Sequence, residues 1–471
     1  MSDGRSASDS VSVPRPMRMA IGYLLMLLAA VGLFLLIRWF GEQTGDEASE
    51  LPTEATPPSP TLGTLPHVLG ALVAIIIVGR MLGAVFQKLG QPRVIGEVVA
   101  GILLGPSLLG RVSPGAMAWL LPESILPSLG MIAQLGVILF MFLVGLELNA
   151  EFLRDRVHKT VVISHAGIVT PFLLGAGLAL WLFPSLAPAG VSFTSFALFL
   201  GVALSVTAFP VLARILTDRR MERTDLGVLA LSCAAAGDAT AWCLLAFVVG
   251  VVQSAVAGAI TTSLLTVLFI GAMFGVVRPL LRGWLNVSDP SEINGSLVTW
   301  VLVALLLSAL TAEAIGIHAL FGAFLLGAVI PHDSAVARAF HDKLHDMVVI
   351  LLLPAFFAHT GMRTQISLVS GWSEWSMCAA IIAVATLGKL GGTMLSARLT
   401  GIDWRTSASL GVLMNTRGLM EIIVLNIGLD LGVISPKLFA MMVLMALVTT
   451  IATSPILRWL EDGHSGPSLH A

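Results

Sequence analysis

The stretch LSCAAAGDATAWCLLAFVVG, from Leu231 to Gly250, is apolar over a length that can cross a bilayer, yet it carries one carboxylate, Asp238, near its middle. About 20 predominantly apolar residues suffice for a transmembrane helix. An ionisable residue inside such a helix costs free energy and is usually functional. The stretch therefore predicts a membrane-spanning helix with a functional carboxylate. The alternative is a structural aspartate that pairs with a base or caps a broken helix.

The composition of the whole chain is typical of the same class of protein. Of its 471 residues, 56% are hydrophobic and 11% are charged, whereas about a quarter of the residues in soluble globular chains are charged. The net charge of −2 does not indicate binding to nucleic acid. The three cysteines all lie in apolar stretches, so neither a disulfide framework nor a zinc site is expected. The sequence predicts an all-α protein that crosses the membrane many times.

Fourteen intervals are apolar enough to be spans, and Gly or Pro residues interrupt several of them. If the N-terminus is cytoplasmic and the sides alternate, 19 of the 26 Lys and Arg residues fall in cytoplasmic segments, four fall outside and three lie within spans. Because cytoplasmic loops hold the excess of Lys and Arg, this distribution supports the count and places both termini in the cytoplasm. The intervals are 19–39, 67–87, 93–110, 130–148, 161–184, 194–216, 226–252, 258–281, 296–312, 317–331, 346–362, 376–397, 407–429 and 436–457.

The regions around the main apolar part divide the chain into five segments. Residues 1–18 are predicted to be a disordered cytoplasmic N-terminus, and residues 19–40 an extra N-terminal transmembrane helix, with a signal peptide as the alternative. Residues 41–66 contain five acids, no bases and a Pro/Thr-rich tract, which indicates a flexible external linker. A membrane domain is predicted over residues 67–460, followed by a short cytoplasmic tail at 461–471.

The helix before Asp238 is predicted to be broken. In SVTAFPVLA, which begins at Ser205, Pro210 removes a backbone donor and clashes with the carbonyl four residues before it. The freed carbonyls and the hydroxyl of Thr207 would then coordinate a dehydrated cation, and a simple proline kink is the alternative. Since burial disfavours the charged form of a carboxylate, a proton and a cation would compete for Asp238. That competition is the chemistry of proton-coupled exchange.

A second charged helix and a second break are predicted in the C-terminal half. Lys389 lies among glycines in the middle of a span and would pair with Asp238 when no cation is bound. A lysine that reaches the cytoplasmic surface is the alternative. Arg417 and Glu421 lie four residues apart on one helical face, which indicates a structural ion pair, with a direct role in transport as the alternative. The residues predicted at the second break are Asn415, Thr416, Arg417 and Gly418.

These features occur in opposite order in the two halves of the chain. In the N-terminal half the broken helix precedes the Asp238 helix, whereas in the C-terminal half the Lys389 helix precedes the broken helix. This reversal is expected for two inverted repeats whose discontinuous helices cross near the middle of the membrane.

The chain resembles the second family of monovalent cation:proton antiporters, which includes the plant cation/H+ exchangers and the bacterial Kef-type potassium-efflux systems. The resemblance covers about residues 65–460 and implies a core domain with two crossed discontinuous helices, a separate dimerisation domain, and alternating access by a homodimer. It places the family's essential acid at Asp238, its core threonine at Thr207 and its core lysine at Lys389. The stretches that carry it are QPRVIGEVVAGILLGPSLLGR, LFMFLVGLEL, ALSVTAFPVLARIL, GIHALFGAFLLGAVIP, LLPAFFAHTGMRT and LMNTRGLMEIIVLNIGLDLGVIS.

The expected function is secondary active exchange of K+ or Na+ for H+, with no enzymatic activity, no cofactor and no metal beyond the transported cation. The expected location is a bacterial plasma membrane. The expected partners are the lipid bilayer, the two transported ions and a second copy of the chain. The alternatives are a Kef-like potassium-efflux channel, a transport-inactive membrane sensor and an exporter of a larger ionic metabolite. One departure bears on selectivity, because Gly237 stands where the family usually has Asn or Gln.

Overall fold

The structure, a computed structural model, describes residues 64–147, 157–221, 223–253, 256–284, 295–331 and 334–462, with scattered residues between 29 and 39. These residues form helices joined by turns, which confirms the predicted all-α class. The α-helices are α1 (Thr64–Lys88), α2 (Arg93–Leu104), α3 (Leu109–Val112), α4 (Pro114–Leu120), α5 (Leu126–Leu146), α6 (Val157–Leu186), α7 (Phe193–Ser205), α8 (Phe209–Asp218), α9 (Asp225–Gln253), α10 (Val256–Ala272), α11 (Arg278–Trp284), α12 (Gly295–Ile315), α13 (Ala319–Val329), α14 (Ala335–Met347), α15 (Leu353–Arg363), α16 (Gly371–Leu399), α17 (Trp404–Met414), α18 (Leu419–Asp430) and α19 (Pro436–Asp462).

Short turns of other helical types join some of these elements. Met273–Val277 and Val348–Leu352 are π-helical turns that connect α10 to α11 and α14 to α15. Glu123–Ile125 and Ile366–Leu368 are 3-10 turns. The segment between the predicted spans 317–331 and 346–362 is helical from residue 335, where α14 begins, and it continues through a π-helical turn into α15. The residues that α14 buries are Ala335, Val336, Ala337 and Phe340.

The described part of the chain contains eleven helical segments that are long and apolar enough to cross a membrane, and α17 with α18 makes up to twelve. Each of the thirteen intervals predicted between residues 67 and 457 overlaps one of these segments or, at 317–331, the shorter apolar helix α13. The N-terminal segment 1–18, most of the first predicted span, the linker up to residue 63 and most of the tail lie outside the described residues, while the last three residues of the predicted linker, 64–66, begin α1. The total of fourteen spans therefore stays a prediction.

The helices pack in two sets. Helices α6, α7, α9, α16, α17 and α19 pack mainly on one another, while α1, α2, α5, α12, α13 and α15 form a second set. Glycines permit close approach in both sets: a Cβ atom on Gly361 of α15 would lie 2.0 Å from the carbonyl carbon of Gly101 on α2, and a Cβ atom on Gly392 of α16 would lie 2.7 Å from the carbonyl oxygen of Ala166 on α6. The assignment of these sets to a core domain and a dimerisation domain stays a prediction.

Two helices are discontinuous, as the sequence predicts. The first break lies between α7 and α8, and the second lies between α17 and α18. Helices α7 and α8 continue as one span, whereas α17 and α18 bend by 47°. Pro210 lies in the first turn of α8, where the backbone N–H that proline lacks has no helical partner. The proline therefore begins a new helix after the break, and the chain is not one continuous kinked helix.

Candidate ion-binding site

The two breaks contact each other directly. The backbone N–H of Ala208 donates a hydrogen bond to the carbonyl of Thr416 at 3.0 Å. The hydroxyl of Thr207 donates to the carbonyl of Met414 at 3.2 Å. A Cβ atom on Gly418 would lie 2.9 Å from a side-chain methyl carbon of Val211, so a glycine is required for this close approach. The backbone groups that each helix leaves unpaired at its break are thus partly satisfied by the other helix.

Two buried cations occupy the carbonyl end of α7. Arg417 donates from Nη1 to the carbonyl of Ala203 at 3.1 Å and from Nη2 to that of Leu204 at 2.5 Å. The ammonium group of Lys389 donates to the carbonyl of Ser205. Positive charge is stabilising at the C-terminus of a helix, where the last carbonyls lack intrahelical donors. The last carbonyls of α7 therefore bind side chains of the C-terminal half in this structure.

Arg417 also forms the ion pair that its spacing suggests. Its Nη1 lies 2.6 Å from Oε2 of Glu421, and both side chains are fully buried. Its backbone N–H donates to the hydroxyl of Thr450 at 3.0 Å, and that hydroxyl donates to the carbonyl of Arg417 at 2.6 Å. Thr450 was not singled out from the sequence, because nothing local to α19 marks it as the partner of a residue 33 positions away.

The surroundings of Asp238 differ from those of the two buried cations. Only 2% of its surface is exposed. Neither of its carboxylate oxygens has a hydrogen-bond partner among the residues that the structure describes. Lys389 forms no direct ion pair with Asp238 in this structure, because its ammonium group donates to the carbonyl of Ser205, but the two side chains are close enough to attract each other electrostatically. The side-chain oxygen of Asn415 at the second break is likewise buried and without a partner in the described part of the chain.

The region around Asp238 can bind a small cation or a proton, but it lacks the donors of a resident metal site. Among the described residues, no group of three or more His, Cys, Asp and Glu side chains could hold a metal ion. A buried carboxylate with two free oxygens is the strongest acceptor in the region. The side-chain oxygens of Thr207 and Asn415 lie at the two breaks and are neutral. Gly237, next to Asp238, contributes no side chain.

A separate cavity of about 200 Å³ lies between the two sets of helices. It is lined by α5, α12, α13 and α15 from the second set and by α18, which packs on α7 and α19 of the first set, and none of its lining residues belongs to either break. At its edge, Arg363 of α15 lies 2.6 Å from Asp430 at the end of α18 and donates to the side-chain oxygen of Asn426 at 3.2 Å. Polar contacts therefore connect the two sets at this end of α18.

Comparisons with known proteins agree with this architecture. The family model described as "Sodium/hydrogen exchanger, transmembrane" matches residues 71–460. The Na(+)/H(+) antiporter NhaS4 of Synechocystis is 42% identical over 396 residues, which are 83% of this chain and 97% of that protein. Cation/H(+) antiporter 18 of Arabidopsis thaliana is 40% identical over 83% of this chain and 48% of its own length. K(+)/H(+) antiporter 1 of Saccharomyces cerevisiae is 34% identical over 81% of this chain and 45% of its own length.

The chain thus spans about half the length of the plant and yeast relatives. The solved structure of the sodium proton antiporter MjNhaP1 from Methanocaldococcus jannaschii has the same fold, with a TM-score of 0.61 and 15% identity over 85% of this chain and 98% of that one. A family model that covers most of the chain and a relative that is covered over nearly its whole length together establish the relationship. The chain belongs to the transmembrane sodium/hydrogen exchanger family, whose members are membrane transporters and not enzymes.

Proposed function

We propose that the protein exchanges a monovalent cation, K+ or Na+, for H+ across the membrane, with Asp238 as the site that the two ions share. The observation that carries this proposal is a fully buried carboxylate whose two oxygens have no partner among the described residues. In a low-dielectric environment a carboxylate is stable only when it is neutralised. Either a proton or a cation achieves this, so the two ions bind in alternation.

The proposed cycle uses alternating access. Asp238 releases its proton on one side of the membrane and binds a dehydrated cation with the hydroxyl of Thr207 and other neutral oxygens of the crossing. The helices that carry the crossing then move relative to the second set, and a proton displaces the cation on the other side. Lys389 leaves the carbonyl of Ser205 and stabilises the empty carboxylate between these steps.

The relatives support both cations as substrates. NhaS4 is named as a Na(+)/H(+) antiporter and the yeast relative as a K(+)/H(+) antiporter. The identity of this chain to each of them is at least 34%. The chain has one buried aspartate in the helix next to the crossing, which favours one-for-one electroneutral exchange. Exchange is electrogenic if Lys389 also releases its proton during the cycle.

Transport by purified protein in proteoliposomes tests this proposal. An internal pH dye reports proton movement when K+, Na+ or Li+ is added in turn. We expect a cation-evoked pH change with the unmodified protein and none with Asp238→Asn, which keeps the size of the side chain and removes its charge. Asp225→Asn, at the exposed first residue of the same helix, is the matched control and should retain exchange. Undiminished exchange in Asp238→Asn would contradict the assignment of this residue.

The same assay separates exchange from the alternatives. A potassium-efflux channel gives K+ flux whose rate does not depend on the pH gradient, whereas an exchanger moves protons only when a cation moves in the opposite direction. A transport-inactive sensor gives neither flux. A membrane potential clamped with valinomycin and K+ distinguishes electroneutral from electrogenic Na+ exchange, because only the electrogenic mode changes its rate with voltage.

We further propose the remaining organisation from the sequence pattern and the family. The membrane domain comprises residues 67–460, with a cytoplasmic N-terminal segment, an extra first span and an external linker before it. Both termini face the cytoplasm of a bacterial cell, as the distribution of Lys and Arg favours. Two copies associate through the set of helices that does not carry the crossing. Labelling of single introduced cysteines in intact cells tests the orientation, and cross-linking in membranes tests the dimer.

A further inference from the structure

Many of the buried hydroxyls in the described helices donate a hydrogen bond to the carbonyl four residues earlier. In α9, for example, Ser232 donates to the carbonyl of Val228 at 2.7 Å. This local bond removes most of the free-energy cost of burying a hydroxyl. Three fully buried hydroxyls, those of Thr160, Ser164 and Thr393, form no such bond and have no partner among the described residues. Each of them is therefore an oxygen with unused binding capacity inside the membrane.

Of these three hydroxyls, that of Ser164 on α6 lies against Gly237, the residue before Asp238. Its Oγ is 3.1 Å from the position that a Cβ atom would take on Gly237. Helices α6 and α9 also contact each other one turn earlier, where Sγ of Cys233 lies 3.8 Å from the carbonyl oxygen of Thr160. Ser164 and Asp238 are therefore at the same level on neighbouring helices. Because residue 237 is a glycine, no side chain at this position contacts the hydroxyl.

We propose that Ser164 is a ligand of the transported cation and binds it together with Asp238 where α6 packs against α9. The inference rests on the proposed function, because it takes Asp238 as the cation site. A serine hydroxyl offers two lone pairs to a cation and carries no charge that a proton could neutralise. A cation between the two residues satisfies the carboxylate and the hydroxyl together, whereas a proton satisfies the carboxylate alone. Ser164 thus stabilises the cation-bound form selectively.

In the same geometry, Gly237 determines which sizes of cation the site accepts. A methyl group on residue 237 would stand 3.1 Å from Oγ of Ser164, which is closer than an ordinary carbon–oxygen contact. Little space would then remain between the hydroxyl and the neighbouring carboxylate. A large dehydrated cation such as K+ is excluded by this change more strongly than a small one such as Li+.

The first test uses Ser164→Ala, which removes one oxygen atom and adds none. We expect the KM for the cation to rise about tenfold, the ratio that corresponds to the loss of a hydrogen-bond-like contact to a charged group, while the maximal exchange rate changes little. Ser232→Ala on α9 is the matched control, because it also removes a buried hydroxyl, one that is locally bonded. It should leave the KM unchanged. An unchanged KM in Ser164→Ala, or an equal rise in both variants, overturns the proposal.

The second test uses Gly237→Ala and a measurement that does not depend on transport. We expect exchange with K+ to fall more than exchange with Li+ in this variant. In detergent, saturating cation raises the thermal unfolding temperature of the unmodified protein by preferential binding to the folded state. This rise should shrink in Ser164→Ala, even though the variant itself is at least as stable without cation, since it buries no unpaired hydroxyl. A full cation-dependent rise in Ser164→Ala contradicts the proposal.

The two proposals fail in different ways. If Asp238→Asn retains exchange, the shared site itself is wrong and Ser164 has no cation to bind beside it. If Asp238→Asn abolishes exchange while Ser164→Ala keeps its KM and its cation-dependent stabilisation, the site at Asp238 stands and the assignment of Ser164 is wrong.

Discussion

The two halves of the crossing both bring charge into the membrane, but they hold it differently. In the C-terminal half, Arg417 contacts Glu421 and two carbonyls of α7, and Lys389 contacts a third carbonyl. In the N-terminal half, the carboxylate of Asp238 is equally buried, and neither of its oxygens has a partner in the described part of the chain. One half is a network of paired charges, in which Nε of Arg417 and Oε1 of Glu421 have no partner among the described residues, and the other presents a carboxylate with neither oxygen paired.

This difference distinguishes the buried charges that have a structural role from the buried charge that we propose takes part in transport. A buried charge with protein partners on several sides is fixed in position, because breaking any contact leaves another charge unpaired in a medium of low dielectric constant. A buried charge without protein partners can exchange the ion that neutralises it. We therefore propose that the charge network of the C-terminal half holds the two broken helices together and that the carboxylate of Asp238 carries the ion.

The largest expected effect on stability follows from removing Arg417 from the charge network of the C-terminal half. Arg417→Leu leaves the carboxylate of Glu421 buried without its partner and leaves the carbonyls of Ala203 and Leu204 without donors. Removing one partner of a buried ion pair destabilises a protein by about 3–5 kcal/mol. We expect the variant to be poorly folded in detergent, with a thermal unfolding temperature well below that of the unmodified protein.

The double variant Arg417→Leu/Glu421→Leu is the control for this prediction. It removes both charges, so the penalty of an unpaired carboxylate disappears, and replacement of a whole buried pair by apolar residues is often close to neutral. We expect it to unfold at a higher temperature than Arg417→Leu alone. If both variants are equally unstable, the role of Arg417 lies in its contacts to the carbonyls of α7 and not in the ion pair.

An intermediate effect is expected at Lys389, which links the two halves. Its ammonium group donates to the carbonyl of Ser205, the last residue of α7, immediately before the first break. Lys389→Met removes this donor, and we expect initial exchange rates about tenfold lower, as for the loss of one hydrogen bond from a charged donor. Lys389→Gln keeps a donor and should retain more activity. Rates are compared in proteoliposomes at equal protein content, and full activity in Lys389→Met would show that the lysine is not needed for exchange.

The local features of the crossing could be predicted from the sequence. Helix-breaking residues at 205–210 and 415–418 interrupt apolar runs, and the structure breaks both helices within these ranges. The spacing of Arg417 and Glu421 by four residues places both on one helical face, and the structure brings them to 2.6 Å. These features depend on residues that are neighbours along the chain, so the pattern of apolar and polar positions is sufficient.

Contacts between distant segments could not be predicted in this way. The sequence suggested Asp238 as the partner of Lys389, but opposite charge alone does not decide between a carboxylate and the carbonyl end of a helix. In the structure, the carbonyl of Ser205 lies within reach of the lysine, 184 positions away along the chain. Ser164 was missed because a serine in an apolar helix carries no local signal. Only its packing against Gly237 distinguishes it.

The smallest expected effect concerns the residues that cap the N-termini of the two broken helices. Ser192 caps α7 by accepting a hydrogen bond from the backbone N–H of Ser195 at 3.1 Å, and Asp403 caps α17 by accepting one from the backbone N–H of Thr406 at 2.9 Å. The bond from Thr406 lowers the pKa of the Asp403 carboxyl. Because the pKa is lower in the folded protein, the contribution of Asp403 to stability is present above the unfolded value of about 3.9 and is lost as the pH falls through the folded value.

The two caps should therefore respond differently to pH. Asp403→Ala should lower the thermal unfolding temperature at neutral pH and make progressively less difference as the pH falls below about 4. Ser192→Ala should lower it by a similar amount at every pH, since a hydroxyl does not titrate in this range. Scanning fluorimetry of both variants in detergent measures the two profiles. Parallel profiles would show that the charge of Asp403 contributes nothing beyond the hydrogen bond. The caps of the two broken helices would then stabilise them in the same way.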